Sequence, residues 1–149
     1  MSLLDAAELR PPSKLKRRLI MVAVFIALGG AGLWWLLRYH TEKVTVYHFL
    51  SAVEAGDMQR AYQIWKPVPS YTYDRFLQDW GPSGFYGPVK SFNVKDTDHP
   101  KGCSCVIIIT EVSPYQPFPE KSDFVKQQKT QEIRLRVEYQ DQSIGFPLD

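Results

Sequence analysis

Nineteen consecutive uncharged residues, positions 19–37, are followed by apolar positions that first recur every three or four residues and then alternate. At a rise of about 1.5 Å per residue the uncharged run spans about 28 Å as a helix, close to the hydrocarbon thickness of a bilayer. Val46, Phe49, Leu50 and Val53 then stand at i, i+3, i+4 and i+7, which lines one face of a helix. Met58, Ala61, Tyr62 and Trp65 repeat that spacing, as do Tyr73, Phe76, Leu77 and Trp80. Gly56 supplies a left-handed stop and Asp57 a cap between the first two, Pro67 ends the second, and Thr72 caps the third before Gly81-Pro82. Three matching stripes predict three helices packed on a common apolar surface.

The surface they need is a sheet. Residues 81–88 hold three glycines and two prolines, which marks a crossover. Phe92 and Val94 alternate with polar neighbours, and a turn is expected over 98–102. Val106-Ile107-Ile108-Ile109 is a continuous apolar run, predicting a central strand buried on both faces. Ile133, Leu135, Val137 and Tyr139 alternate with charged residues as a half-buried strand does, and 144–146 adds a short last strand. The polar segment 113–130 is expected to loop, with a helical turn near 123–128. Helices first and antiparallel strands after is an α+β order.

Charge orients the apolar run. Arg10, Lys14, Lys16, Arg17 and Arg18 precede it against Asp5 and Glu8, whereas the rest of the chain holds 13 basic and 14 acidic residues. Cations clustered on one flank stay cytoplasmic. Trp34, Trp35 and Tyr39 fall at the other end, where amphipathic rings favour the headgroup level. A cleaved signal is the rival reading. The run is longer than a signal's apolar region, however, and stays apolar through Leu37, past its small residues. The expected organisation is a cytoplasmic tail (1–18), one transmembrane helix (19–37), a short linker (38–42) and an extracytoplasmic domain (43–149). The tail around Pro11-Pro12 has too little apolar surface to build a core. Such a chain is expected in a bacterial inner membrane, with the bilayer as its first partner. Ala23, Ala27 and Ala31 form a small-residue ridge on which a second helix would pack, from a membrane-protein partner or another copy. The near-neutral outer segment gives no electrostatic case for nucleic acid.

The string Phe49-Leu50-Ser51-Ala52-Val53-Glu54-Ala55-Gly56-Asp57, followed by Ala61-Tyr62, resembles the opening of the NTF2-like superfamily. Gly87-Pro88-Val89-Lys90-Ser91-Phe92 is similar to the entry into that family's first long strand. The likeness covers about residues 44–139. It implies a small cone of three helices on a curved antiparallel sheet with a pocket at its wide end. Many members of the superfamily are non-catalytic binding or assembly modules behind a single membrane anchor, and others are isomerases or dehydratases.

Candidate chemistry is sparse. Tyr47, His48, Tyr62, Tyr73 and Asp74 are the groups an enzyme of this shape would aim into the cone, but no carboxylate pair or His-Asp spacing accompanies them. Asp74 also suits the first turn of a helix for its charge alone. His99, Cys103 and Cys105 form a His-x3-Cys-x-Cys group of soft ligands, one short of a tetrahedral set. The two cysteines are the only ones, and their spacing argues against an ordinary structural disulfide. Phe85 and Tyr86, in the Gly/Pro crossover, are the best candidates for a ligand or partner contact, with Tyr47 and His48 beside them. The interrupted glycines at 81–87 make no phosphate cradle, so no cofactor is expected. The sequence therefore favours a membrane-anchored, non-catalytic binding, scaffold or assembly module. A small pocket enzyme is the alternative, and a metal- or thiol-handling protein using Cys103 and Cys105 is the second alternative.

Overall fold

A computed structural model describes residues 13–147, which divide into two units at Arg38 and Tyr39. The expectations for Asp5, Glu8, Arg10 and the Pro11-Pro12 segment lie outside the described residues.

Among the described residues the first unit is one helix, α1 (Lys14–Leu37). It starts ahead of the apolar run because Ser13 caps it, its side chain accepting from the Lys16 amide at 3.4 Å. Lys14, Lys16, Arg17 and Arg18 thus ride on its first turns. Arg38 closes it, its amide bonded to the Trp34 carbonyl and its guanidinium 5.3 Å from the Trp34 ring centre. α1 is long and apolar enough to cross a membrane, and none of its residues is buried in protein. A single apolar helix of this kind supports single-pass anchoring.

The second unit is α+β, with α2 (His40–Glu54), α3 (Met58–Trp65) and α4 (Tyr73–Trp80) preceding a four-stranded antiparallel sheet. Its strands, β1 (Ser91–Asp98), β2 (Cys105–Ser113), β3 (Gln131–Glu138) and β4 (Ile144–Gly145), lie in chain order, and α5 (Phe124–Gln127) sits in the loop between β2 and β3. The predicted caps are present. Asp57 accepts from the Arg60 amide and Thr72 from the Arg75 amide, while Gly56 leaves α2 at φ 77°. Gly87 is required for a different reason: the crossover folds back on the end of α4, and a methyl group there would overlap the Gly81 carbonyl.

The helices pack on one face of the sheet. Val106, Ile108 and Val112 from β2 and Ile133, Leu135 and Val137 from β3 are buried there, against Val46, Phe49, Leu50 and Val53 of α2. Thr110 joins them fully buried, its hydroxyl reaching the Ile133 carbonyl. The expectation that Val106–Ile109 is buried on both sides is corrected. β2 is central, but Ile107 and Ile109 are only half-buried, standing opposite Arg136 and Arg134 of β3. Long cationic side chains shield such apolar positions without a second layer. Lys95 extends the same polar face, paired with Glu111 at 3.0 Å and Glu132 at 3.5 Å, and these carboxylates hold its ammonium above the usual lysine pKa.

The linker expected at 38–42 is also shorter than its sequence suggests, because α2 is helical from His40. Tyr39 takes a left-handed backbone at φ 65° and stacks on Tyr139, ring centres 6.2 Å apart. Glu42, buried in the first turn of α2, accepts from Gln142 Nε2 at 3.2 Å, and Thr45 donates to Gln142 Oε1 at 3.1 Å. Gln142 reaches both because the β3–β4 turn places it at φ 58°. Within that turn the Asp141 carboxylate accepts from the Ser143 amide at 2.9 Å, which lowers its pKa. The Lys66 ammonium donates to the Asp141 carbonyl.

Candidate functional site

An NTF2-like cone would put its chemistry in the space between helices and sheet, and here aromatic side chains fill that space. Phe49 and Trp80 meet edge to face with ring centres 4.9 Å apart, Phe49 and Trp65 lie 5.1 Å apart, and Phe76 closes on both. Phe49, Phe76 and Trp80 are fully buried. Phe146, beyond the short last strand, adds a further ring 5.2 Å from Trp65 and stacked on Trp80. The sequence places it at the end of the predicted last strand, one residue past the observed β4, and gives no sign that its ring joins the helical cluster. Among the described residues the buried indole N–H of Trp80 has no hydrogen-bond partner, and the rings of Phe49 and Tyr86 lie 4.9 and 5.0 Å from the Trp80 ring.

The concavities around this core are open grooves. One of about 350 Å³ is lined by Val53, Met58, Trp80, Pro82, Pro88 and Val89, with Glu54, Lys90 and Gln116 at its rim. Another, between α2 and α3, carries Thr45, His48, Arg60, Gln63 and Lys66.

The predicted contact residues separate. Phe85 is 72% exposed, whereas Tyr86 turns inward onto Trp80 and Phe146 at 5.0 and 5.7 Å. Burial, and then the charge of Asp79, raise the Tyr86 pKa. Tyr47 is exposed on α2 with its ring edge on Phe92, and His48 is exposed beside Arg60 in the α2–α3 groove. Tyr62 and Tyr73 pack on each other and on Phe76, and Asp74 is exposed in the first turn of α4. Ala23, Ala27 and Ala31 lie along α1 at the spacing of one helix face.

Tyr71 carries the strongest polar contact near the core, donating its phenol to Asp79 at 2.5 Å while its carbonyl accepts from the Tyr62 hydroxyl at 2.8 Å. Burial, then the Asp79 hydrogen bond, drive the Tyr71 pKa far up from the ordinary tyrosine value. A group whose folded pKa is raised loses its stabilising effect as pH climbs past its unfolded pKa, here near 10. Alkaline pH should therefore destabilise the protein, and Tyr71→Phe should flatten that dependence while lowering stability at neutral pH by about 1 kcal/mol. Urea midpoints between pH 8 and 11 test both effects.

The His99–Cys103–Cys105 group converges, but as something other than the ligand set. Cys103 and Cys105 are joined by a disulfide with Cα atoms 5.1 Å apart. The expectation against a bridge is corrected: only Cys105 lies in β2, and Cys103 precedes it in the turn where its amide bonds to the Pro100 carbonyl. His99 Nδ1 lies 3.1 Å from both the Cys105 carbonyl oxygen and the Tyr139 hydroxyl. Protonated, that nitrogen donates to the carbonyl; unprotonated, it accepts from Tyr139. Among the described residues no group of three His, Cys, Asp or Glu side chains is arranged to hold a metal ion.

No family model, no curated protein and no solved structure matches the chain.

Proposed function

We propose that this chain is a single-pass, membrane-anchored binding or assembly module whose NTF2-like domain faces the outer side of a bacterial inner membrane. What supports a non-catalytic role is the filled interior. Phe49, Trp65, Phe76, Trp80 and Phe146 occupy the volume in which an isomerase or dehydratase of this shape would hold its substrate. The order of three short helices before an antiparallel meander supports the NTF2-like reading. Only Arg38 and Tyr39 join α1 to α2. A short tether suits work on a neighbouring membrane protein or a second copy. Phe85 is the proposed contact, an exposed aromatic ring beside the half-buried Tyr86.

Photo-crosslinking in native membranes tests the module. A photoreactive side chain at Phe85 should give one discrete protein adduct, and the same probe at Arg134, on the polar sheet face, should not. Equal labelling from both positions, or lipid adducts alone, would remove Phe85 as the contact.

A further inference from the structure

We infer that the Cys103–Cys105 bridge is a thiol–disulfide exchange site, whose partner is a protein presenting a pair of cysteine thiols to this domain. The bridge does little for the fold. Disulfide stabilisation through the unfolded chain grows with the length of the loop closed, and these residues are two apart in sequence. The ladder around the bridge is held independently. Cys105 pairs with Glu138 in the sheet register, and the Tyr139 amide donates to the Ser104 carbonyl at 3.1 Å. The hairpin end is therefore built to keep its shape with the bridge open or closed.

The two sulfurs are also unequal. Cys105 is 1% exposed, at the first residue of β2, whereas Cys103 is partly exposed in the preceding turn. Exchange rates depend on access to the attacked sulfur, which makes Cys103 the entry point and Cys105 the resolving partner. His99 is fastened to the Cys105 carbonyl and flanked by Tyr39 and Tyr139 at ring distances of 6.0 Å each, so an aromatic wall stands beside the bridge. Tyr39 is the first residue of the domain after α1. The bridge thus sits beside the first residue of the domain.

The exchange balances without a further reagent. A partner thiolate attacks Cys103 Sγ, the Cys103–Cys105 bond breaks, and Cys105 leaves as a thiolate that takes up a proton. The partner's second thiolate then attacks its own sulfur in the mixed disulfide, and Cys103 leaves as a thiolate. The partner gains one disulfide and is oxidised by two electrons, while Cys103 and Cys105 become two thiols. The same steps in reverse reduce a partner disulfide.

The full chain in mild detergent, equilibrated with glutathione buffers of graded ratio, supplies the test. Alkylation mass spectrometry reads the bridge and circular dichroism reads the fold. The expected result is a bridge that opens within the range set by millimolar glutathione while the far-ultraviolet spectrum stays unchanged. With oxidised glutathione as probe, Cys105→Ala should form the mixed disulfide on Cys103 at least tenfold faster than Cys103→Ala forms it on Cys105. Bridge opening that needs denaturant, or loss of the folded spectrum on reduction, would overturn the proposal. So would equal rates in the two variants. The wild-type arm needs no substitution, and neither arm depends on whether Phe85 contacts a partner.

Discussion

Replacing Phe49 by alanine should lower the unfolding free energy of the domain by about 3–5 kcal/mol, a large share of the 5–15 kcal/mol typical of a folded domain. Phe49 is fully buried and meets Trp65, Phe76 and Trp80. α2 supplies it, α3 and α4 supply its neighbours, and the buried side chains of β2 and β3 lie beneath. Truncation opens a cavity that three rigid rings cannot close, so the loss exceeds the transfer term alone. Phe85→Ala is the control. The same number of atoms leaves a ring that is 72% exposed, and the change should stay within about 0.5 kcal/mol. Denaturant midpoints of the two variants, compared at equal slope, check the contrast. Similar losses at both positions would mean that the interior is not the packed aromatic cluster described above.

Exchanging Lys14, Lys16, Arg17 and Arg18 for glutamine should send a substantial fraction of the chains into the membrane in the opposite orientation. These four cations lie in the first turns of α1, next to the apolar run. With them gone, Arg38 and Lys43 outweigh Arg10, and the bias that keeps cations cytoplasmic favours the other side. Protection of a C-terminal tag from protease added outside the cytoplasmic membrane reads the orientation directly. An accessible tag is expected for the native chain and a largely protected one for the variant. Unchanged accessibility would show that the flank does not set the topology.

Periodicity made most of the architecture readable. The i, i+3, i+4, i+7 stripes ending at Val53, Trp65 and Trp80 each correspond to a helix, because burying one stripe against a sheet is what selects that spacing. The alternation from Ile133 to Val137 marks β3 for the same reason. Ile107 and Ile109 misled because a continuous apolar run does not say what covers its second side. Here arginines on the neighbouring strand supply partial cover, and pairing register is not visible in a local window. Tyr39 belonged, by its spacing from the apolar run, with the interfacial aromatics Trp34 and Trp35. Its stacking on Tyr139 depends on a contact across most of the domain. The Cys103–Cys105 bridge depended on where β2 begins, since Cys105 opens the strand and Cys103 lies in the turn before it. Of the candidate contacts, Phe85 and Tyr86 look alike in the crossover sequence. Only the fold of residues 81–88 around the end of α4, with the Phe85 and Tyr86 amides bonded to the Gln78 and Asp79 carbonyls, turns one ring out and the other in.

The clasp between α2 and the β3–β4 turn sets an order of events during synthesis. Thr45 and Glu42 are bonded to Gln142, 97 and 100 positions further along the chain. The first helix of the domain therefore leaves the ribosome long before the residue that fastens it. Until Gln142 arrives, the Glu42 carboxylate has no such donor and the stacking partner of Tyr39 is missing. Fastening of α2 falls to the β3–β4 turn, so a nascent chain stopped before Tyr139 would present an unfastened α2 to quality-control proteases.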